Sequence, residues 1–190
     1  GGLSHSFTDD KGFTWDIGGH VMFSHYTYYD RCFERLMGDE YTLNNRESWV
    51  RMFDRWVPYP FQNNIRYLPK EAAFECISGL IKAQSGTSGI TPASARNFGE
   101  FIDAVFGEGI ARLFMRPYNF KVWAYPPESM NKTWIGERVA VIDVQRALRN
   151  IILEQDDFGW GPNNQFKFPL RGGTGEFYAR FGPVLDGHVT

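Results

Sequence analysis

The sequence has few cysteines, no large excess of charge of either sign and no long apolar run. Its two cysteines, Cys32 and Cys76, are too few for a disulfide framework and cannot alone form a zinc site, so we expect a reducing, cytoplasmic setting. Among 190 residues, 20 Lys and Arg stand against 22 Asp and Glu, and this near-neutral balance argues against a nucleic-acid-binding protein. No apolar stretch approaches the ~20 residues that cross a bilayer, so we expect no membrane span and no membrane partner.

Common catalytic and nucleotide-binding motifs are also missing. The sequence has no GxSxG, P-loop, HExxH, CxxC or EF-hand pattern, and we expect no metal site. Three pairs of glycines lie two residues apart, but Arg112, Asn164 and Tyr178 stand where the dinucleotide fingerprint GxGxxG needs its third glycine. The chain starts at Gly1-Gly2 without a methionine, and we expect it to be the central part of a longer protein.

Hydrophobic periodicity predicts a helical middle between two flanks that carry short strands. Apolar residues follow helical spacing in four segments, at 28–38, 69–81, 98–114 and 143–152. The third segment is interrupted near Gly107 and Gly109, Asp143 is the predicted N-cap of the fourth, and the Gly- and Pro-rich stretch 85–97 is a predicted loop. Extended pieces are predicted at 7–16, 166–168 and 171–175, with a hairpin at 46–59.

This order of elements indicates an α/β fold, in which a sheet-containing domain carries a helical insertion. We expect a partial sheet domain at 1–64, a helical domain at 65–155, and a return into the sheet domain at 156–190. Aromatic residues make up 17% of the chain, and many stand beside Pro, Asn, Gly or Arg. We interpret this excess as the lining of a pocket.

The segment Trp56–Asn64 combines rigid aromatic residues with amide side chains. Two prolines fix the backbone around Tyr59 and Phe61, and Gln62 with the two asparagines after it supplies uncharged donors and acceptors. A nucleobase or a sugar needs this combination, a ring to stack on and amides to read its edge. A buried hairpin end, with amides that cap backbone groups, explains the segment equally well.

Charged and glycine-rich segments are further candidates. Charged, amide and aromatic side chains alternate in Arg116–Ala124, which favours a lined pocket over a core strand. Arg138 and Arg171 could each hold a phosphate through a bidentate contact, although a salt bridge is the commoner role of a single arginine. Gly18-Gly19-His20 could present a histidine on an open loop, although a plain turn explains these three residues better on their own.

Together, these segments resemble the UDP-galactopyranose mutases, chiefly those of the eukaryotic type. The matching motifs follow the order of that family: GGL (1–3), DIGGHVMFSHY (16–26), WVPYPFQNN (56–64), LFMRPYNFKVWA (113–124), WIGERVA (134–140) and WGPNNQFKFPLRGGTG (160–175). WVPYPFQNN and RPYNFKVWA are specific, whereas the glycine motifs also occur in amine-oxidase-like and protoporphyrinogen-oxidase-like flavoproteins.

The resemblance implies part of an FAD-binding, Rossmann-like α/β domain with an inserted helical substrate-binding domain and short β segments, the Rossmann fingerprint lying upstream. It implies a flavin-dependent isomerase that interconverts UDP-galactopyranose and UDP-galactofuranose by covalent attack of N5 of reduced FAD on the anomeric carbon. NADPH or NADH would reduce the FAD. Because most of the flavin site would lie outside this sequence, we expect the chain to be inactive alone.

The resemblance also implies roles for individual residues. Cofactor contacts fall on Leu3, Gly18, Gly19 and His20, and catalytic roles fall on His20 and Arg138. Substrate contacts fall on Phe23, Tyr59, Phe61, Gln62, Asn119, Trp123 and Asn163.

Two other functions stay open. The shared glycine motifs fit an FAD-dependent oxidoreductase of the amine-oxidase or protoporphyrinogen-oxidase group that acts on another substrate. The missing GxGxxG fingerprint fits a non-catalytic fragment that binds a sugar nucleotide. We expect a UDP-sugar as the partner and no nucleic acid, and the sequence leaves a homo-oligomer open.

Overall fold

The computed structural model describes residues 2–18, 21–135, 139–159 and 164–188. Its strands are β1 (Ser6–Thr8), β2 (Thr14–Asp16), β3 (Tyr41–Asn45), β4 (Trp49–Met52), β5 (Arg55–Pro58) and β6 (Gln165–Pro169). Its α-helices are α1 (Thr27–Met37), α2 (Lys70–Gln84), α3 (Phe98–Ile110), α4 (Arg116–Trp123), α5 (Val144–Ile152), α6 (Gly173–Ala179) and α7 (Gly182–Leu185). A π-helical segment, Ala111–Met115, joins α3 to α4. No helix within the described ranges is long and apolar enough to cross a membrane.

The chain divides into two compact units, which we call the flanking unit (Gly1–Arg46 with Gly161–Thr190) and the helical unit (Glu47–Trp160). The division lies at 46/47 and 160/161, whereas the sequence predicts boundaries at 64/65 and 155/156. The difference arises because the β4–β5 hairpin packs with the helices that follow it. Val57 of β5 is fully buried in the same core as Phe61 and the inner faces of α2 and α3.

Most of the predicted helices and strands are confirmed. The four predicted helical segments coincide with α1, α2, α3 and α5 to within a few residues at their ends, and Asp143 caps α5 by accepting a 2.8 Å hydrogen bond from Arg146 N. The hairpins β1–β2 and β4–β5 and the loop at 85–97 also lie where the sequence predicts them. The prediction of extended structure at 171–175 is wrong, because β6 ends at Pro169, residues 171 and 172 form a bend and α6 begins at Gly173. The elements α4 and β3 have no counterpart among the predictions.

The flanking unit has antiparallel strand pairs and a small aromatic core. Strand β1 pairs with β2, and β3 pairs with β6 over the register Tyr41–Asn45 to Pro169–Gln165. Phe33 of α1 is fully buried, and its ring centroid lies 5.2 Å from that of Tyr41 and 5.1 Å from that of Phe177. These three rings therefore join α1, β3 and α6 into one core.

The glycine-rich start of α6 is held against the β1–β2 hairpin. Asp16 Oδ1 accepts hydrogen bonds from Ser6 Oγ and from Thr174 N, and Ser6 Oγ accepts one from Gly175 N. These acceptors satisfy backbone N–H groups in the first turn of a helix, which have no partner within the helix. A β-carbon on Gly173 would lie 2.2 Å from Asp16 Oδ1, and its φ is +64°, so only glycine fits there.

The helical unit is organised around the contact between α2 and α3. The fully buried side chains at this contact include Leu80 of α2 and Phe98, Ile102 and Phe106 of α3. The predicted interruption of α3 is confirmed at Gly107, where φ is 72° and ψ is 168°. Beyond it the chain continues through the π segment into α4, which ends where Ala124 adopts a left-handed conformation.

The segment after β5 is tied to the segment after α5. Asn64 is fully buried, and its Nδ2 donates to the carbonyl oxygens of Asp157 (2.7 Å) and Pro60 (3.1 Å). Asn64 Oδ1 accepts a 2.9 Å hydrogen bond from Asp157 N. Arg146 of α5 holds the Asp157 carboxylate through two bonds, of 2.6 and 2.7 Å. Residues 60–64 are thus fixed from α5 and the chain that follows it.

The Asp157 carboxylate makes the stability of the helical unit depend on pH. Burial raises the pKa of Asp157, but hydrogen bonds from Arg146, Gly159 N and Asn150 outweigh burial and hold this pKa below its ordinary value. A lowered pKa in the folded state means that the stabilisation is complete above about pH 4, the pKa of an unfolded Asp, and is lost as the pH falls through the folded value.

We therefore expect Asp157→Asn in the intact protein to lower the midpoint of thermal unfolding at pH 7. The same variant should flatten the fall of that midpoint below about pH 4, because one titrating carboxylate is removed. Asp54→Asn is the matched control, since the Asp54 carboxylate is almost fully exposed in its 3.3 Å pair with Arg51. This assignment would be contradicted if the midpoints of thermal unfolding of the wild type and of Asp157→Asn fell in the same way below about pH 4.

Candidate functional site

One cavity of the helical unit brings together four of the predicted substrate contacts. Its volume is about 140 Å³, and it is lined by Tyr59, Gln62, Met115, Tyr118, Asn119, Val122, Trp123, Trp134 and Val139. The four predicted members are Tyr59, Gln62, Asn119 and Trp123. The run 116–124 therefore does line a pocket, as its composition predicts, and the roles of its residues in binding stay predictions.

Helix α4 forms one wall of this cavity. Met115, Tyr118, Asn119, Val122 and Trp123 are spaced by three and four residues, so one face of the helix points at the cavity. Three of these five residues, Met115, Tyr118 and Val122, are not among the predicted substrate contacts, because the alternating polarity of the run does not by itself indicate a helix. The spacing i, i+3, i+4, i+7 and i+8 was the signal that could have identified them.

Gln62 has a fixed orientation and an acceptor without a partner. The side chain is 1% exposed, and its Nε2 donates to the carbonyl oxygen of Ala140. Its Oε1 is buried and meets no hydrogen-bond donor among the residues that the structure describes. A buried polar atom that stays unpaired costs about 1–3 kcal/mol, so a ligand that donates to Oε1 would gain affinity from it.

Aromatic rings and Asn119 complete the lining. Asn119 is buried, and its Nδ2 donates a 2.7 Å hydrogen bond to Met115 O at the end of the π segment, which fixes the side chain. The ring centroids of Tyr59 and Tyr118 are 6.0 Å apart. Trp123 meets Trp134 edge to face at 5.2 Å. The cavity thus has flat apolar sides and a few polar groups in fixed positions, which is typical of a site for a small planar ligand.

Phe61, which the sequence predicts as a substrate contact, does not line the cavity. It is fully buried, and its ring stacks on that of Phe114 with centroids 4.4 Å apart and planes 20° apart. Phe114 in turn stacks on Tyr118 at 4.9 Å. Phe61 therefore supports the cavity from the core, between the segment that carries Gln62 and the helical wall.

The other described candidates belong to the flanking unit. Phe23 is 41% exposed, its ring lies 5.9 Å from that of His25, and the guanidinium carbon of Arg46 lies 5.6 Å from its centroid. Leu3 is exposed and Gly18 half-buried. Four further candidates, Gly19, His20, Arg138 and Asn163, lie outside the described residues. Their roles stay predictions.

A larger concavity of about 600 Å³ lies over α2 and α3, and its two arginines are already paired with carboxylates. Arg112 is paired with Glu75 at 2.6 Å, and Arg116 is paired with Asp103 at 2.6 Å and with Glu128. Their charges are largely neutralised, so we do not assign this concavity a ligand. Within the described ranges, no three His, Cys, Asp or Glu side chains converge to hold a metal ion.

Comparison with known proteins tests the resemblance directly. No protein-family model matches the chain. A solved structure, the crystal structure of reduced UDP-galactopyranose mutase, matches with a TM-score of 0.88 and 50% sequence identity. The match covers 96% of this chain and 38% of that one. The resemblance to the UDP-galactopyranose mutases is confirmed.

The match concerns only part of the mutase. This chain contains both helices and strands, and it spans well under half the length of that mutase. Among the described residues the strands form antiparallel pairs only. The Rossmann-like FAD domain therefore stays a prediction.

The Phe61–Phe114 stack should be the main apolar support of the mutase-like cavity. We expect Phe114→Ala in the intact protein to lower the free energy of unfolding by about 3–5 kcal/mol, because it leaves a cavity beneath both walls. Phe120→Ala is the matched control from the same helical wall: its side chain is 53% exposed, and the loss should stay below ~1 kcal/mol. Urea unfolding measures both, and equal losses would show that the stack does not support the wall.

Proposed function

We propose that this chain is part of a flavin-dependent isomerase that interconverts UDP-galactopyranose and UDP-galactofuranose, and that its cavity binds the uracil of the UDP-sugar. The observation that carries the proposal is the buried Gln62 Oε1, an acceptor without a partner among the described residues, in an aromatic-walled cavity. The 50% identity to a UDP-galactopyranose mutase over 96% of the chain supports the reaction.

The chemistry of uracil matches this cavity. The uracil edge presents an N3–H donor between two carbonyl oxygens, and Gln62 Oε1 can accept from N3–H because the bond from Nε2 to Ala140 O fixes the orientation of the amide. Cytosine presents an acceptor at the same place, so two acceptors would face each other. The base would lie against Tyr59. The cavity volume of about 140 Å³ is below the ~300–1,000 Å³ of sites that enclose a drug-sized ligand, which suits one base.

The remaining contacts are assigned from the resemblance. Asn119 and Trp123 would contact the substrate from the α4 wall, and Phe23 and Asn163 would contact it elsewhere. Arg138 would stabilise negative charge on the substrate, a task that suits a guanidinium because it stays protonated and donates through several N–H groups. These residues orient the substrate and exclude water, which is how a protein assists a reaction whose nucleophile belongs to a cofactor.

The described residues of the flanking unit are compatible with FAD. Thr174 Oγ1 is buried and has no hydrogen-bond partner within the described ranges, so it can bond to a group from outside the chain. Leu3 is 65% exposed and can cover an apolar ring face. We assign FAD contacts to Leu3, Gly18, Gly19 and His20, with His20 also catalytic. When bound, reduced FAD would supply N5 as the nucleophile for the anomeric carbon, with NADPH or NADH as the reductant.

We also propose that the protein works in the cytoplasm. Cys32 and Cys76 are both free thiols, as is usual in a reducing compartment. Burial raises the pKa of the Cys76 thiol to about 12, so this side chain stays protonated and unreactive at neutral pH.

The intact protein, loaded with FAD and reduced by dithionite, should convert UDP-galactofuranose into UDP-galactopyranose. One equivalent of reductant should support many turnovers, because the isomerisation involves no net oxidation or reduction. Chromatographic separation of the two sugar nucleotides measures the conversion. Consumption of one reductant per product would instead favour the flavin oxidoreductase, and UDP binding without any conversion would favour the non-catalytic fragment.

Gln62→Leu should weaken the binding of UDP by about tenfold and remove the preference for UDP over CDP, because it removes the acceptor for N3–H. Gln84→Leu is the matched control. Gln84 Nε2 also donates to a backbone carbonyl, that of Ile142 at 2.8 Å, but Gln84 does not line the cavity. Isothermal titration with both nucleotides measures the effect. Wild-type affinity for UDP in Gln62→Leu would contradict the assignment of the uracil site.

A further inference from the structure

The α4 wall of the cavity follows α3 directly in the chain. Residues 98–123 run through α3, which is kinked at Gly107, then through the π segment and into α4. The early part of this segment packs on α2, and its last turns carry Asn119 and Trp123 into the cavity lining. The position of this wall therefore depends on how α3 lies on α2.

Glycines set the distance between α2 and α3. A β-carbon on Gly107 would lie 2.1 Å from the carbonyl carbon and oxygen of Gly79, far inside van der Waals contact. A β-carbon on Gly109 would lie 2.5 Å from Glu75 O. On the other helix, a β-carbon on Gly79 would lie 3.0 Å from Gly109 N. The two backbones are in direct contact, and any side chain at Gly107 must push them apart.

The opposite wall is anchored on α5 and α2 and not on α3. Tyr59 and Gln62 lie on the segment that Asn64 fixes to Asp157 and that Asn150 fixes through a 2.9 Å hydrogen bond to Asn63 O. Gln62 is also bonded to Ala140 O, and the chain just after Ala140 is bonded to Gln84 of α2. None of these hydrogen bonds involves α3, so they hold the Tyr59 wall in place when α3 moves away from α2.

We propose that Gly107 is a positioning residue for the uracil site, because its lack of a side chain sets the spacing between the two walls. The inference rests on the proposed function of that cavity. A displaced α3 must either break the Phe61–Phe114 stack, which lies between Gly107 and α4, or tilt α4 about it. Both responses move Asn119 and Trp123 relative to Gln62, so a base bound at one wall would lose contacts with the other.

Three glycine-to-alanine variants of the intact, FAD-loaded protein test this. Gly107→Ala should weaken UDP binding by about tenfold and raise KM for the UDP-sugar, with kcat at saturation changed by less than about twofold, since the uracil lies away from the reacting carbon. Gly79→Ala should have the same effect to a smaller degree, because it crowds the same contact without a strained φ. Gly99→Ala, also in α3, should change neither, because the atoms nearest its β-carbon belong to the flexible Glu128 side chain and not to a backbone, and Arg116 keeps its pair with Asp103 if Glu128 shifts.

Titration with UDP separates the outcomes. Wild-type protein that does not bind UDP would overturn the proposed function and this inference with it. Wild-type binding of UDP, together with unchanged affinity in Gly107→Ala and Gly79→Ala, would overturn the inference alone, whatever the variants do to the unfolding temperature. If Gly107→Ala fails to fold, by loss of its helical circular dichroism, Gly79→Ala decides the question against Gly99→Ala.

Discussion

The stack of Phe61 on Phe114 is the interaction on which the candidate site depends. Offset aromatic pairs add about 0.5–1.5 kcal/mol to the free energy of burial, and this pair lies in the buried hydrophobic cluster of the helical unit. Gln62 follows Phe61 in the chain, and Tyr118 follows Phe114 by one helical turn. One buried contact thus fixes both the group that reads the edge of a base and the wall beside it, and neither wall depends on a mobile loop for its position.

Much of the helical unit could be predicted from the sequence because its signals are local. The helices α2 and α5 have apolar stripes, Asp143 is a good N-cap, and the interruption of α3 is marked by its glycines. The signal for helix α4 is weaker, because exposed Phe120 and buried Asn119 interrupt its apolar stripe. The resemblance to the UDP-galactopyranose mutases nevertheless identified four residues that share one cavity: Tyr59, Gln62, Asn119 and Trp123.

Features that depend on distant partners were not predictable. Strand β3 pairs with β6 across more than 100 residues of chain, and nothing in Tyr41–Asn45 alone specifies that partner. The orientation of the Gln62 amide depends on Ala140 O, which the sequence does not place near it. The contacts of the glycines at the start of α6 could not be predicted either. Their motif also occurs in flavoproteins, but it does not reveal that Gly173 and Gly175 lie directly against Asp16 and Ser6 of the same chain.

The close approach of α2 and α3 has a consequence for engineering. Replacing a helical glycine by alanine commonly gains up to about 1 kcal/mol, because alanine favours the helix and restricts the unfolded chain. At Gly109 that route is blocked by the backbone of the facing helix, and at Gly107 it is blocked both by that backbone and by a positive φ of 72°. The protein therefore keeps helices that are intrinsically less stable than their length allows. Attempts to make the protein more heat-resistant should leave the contact between α2 and α3 unchanged. Substitutions should instead be made on exposed helical faces, where a new side chain meets no second backbone.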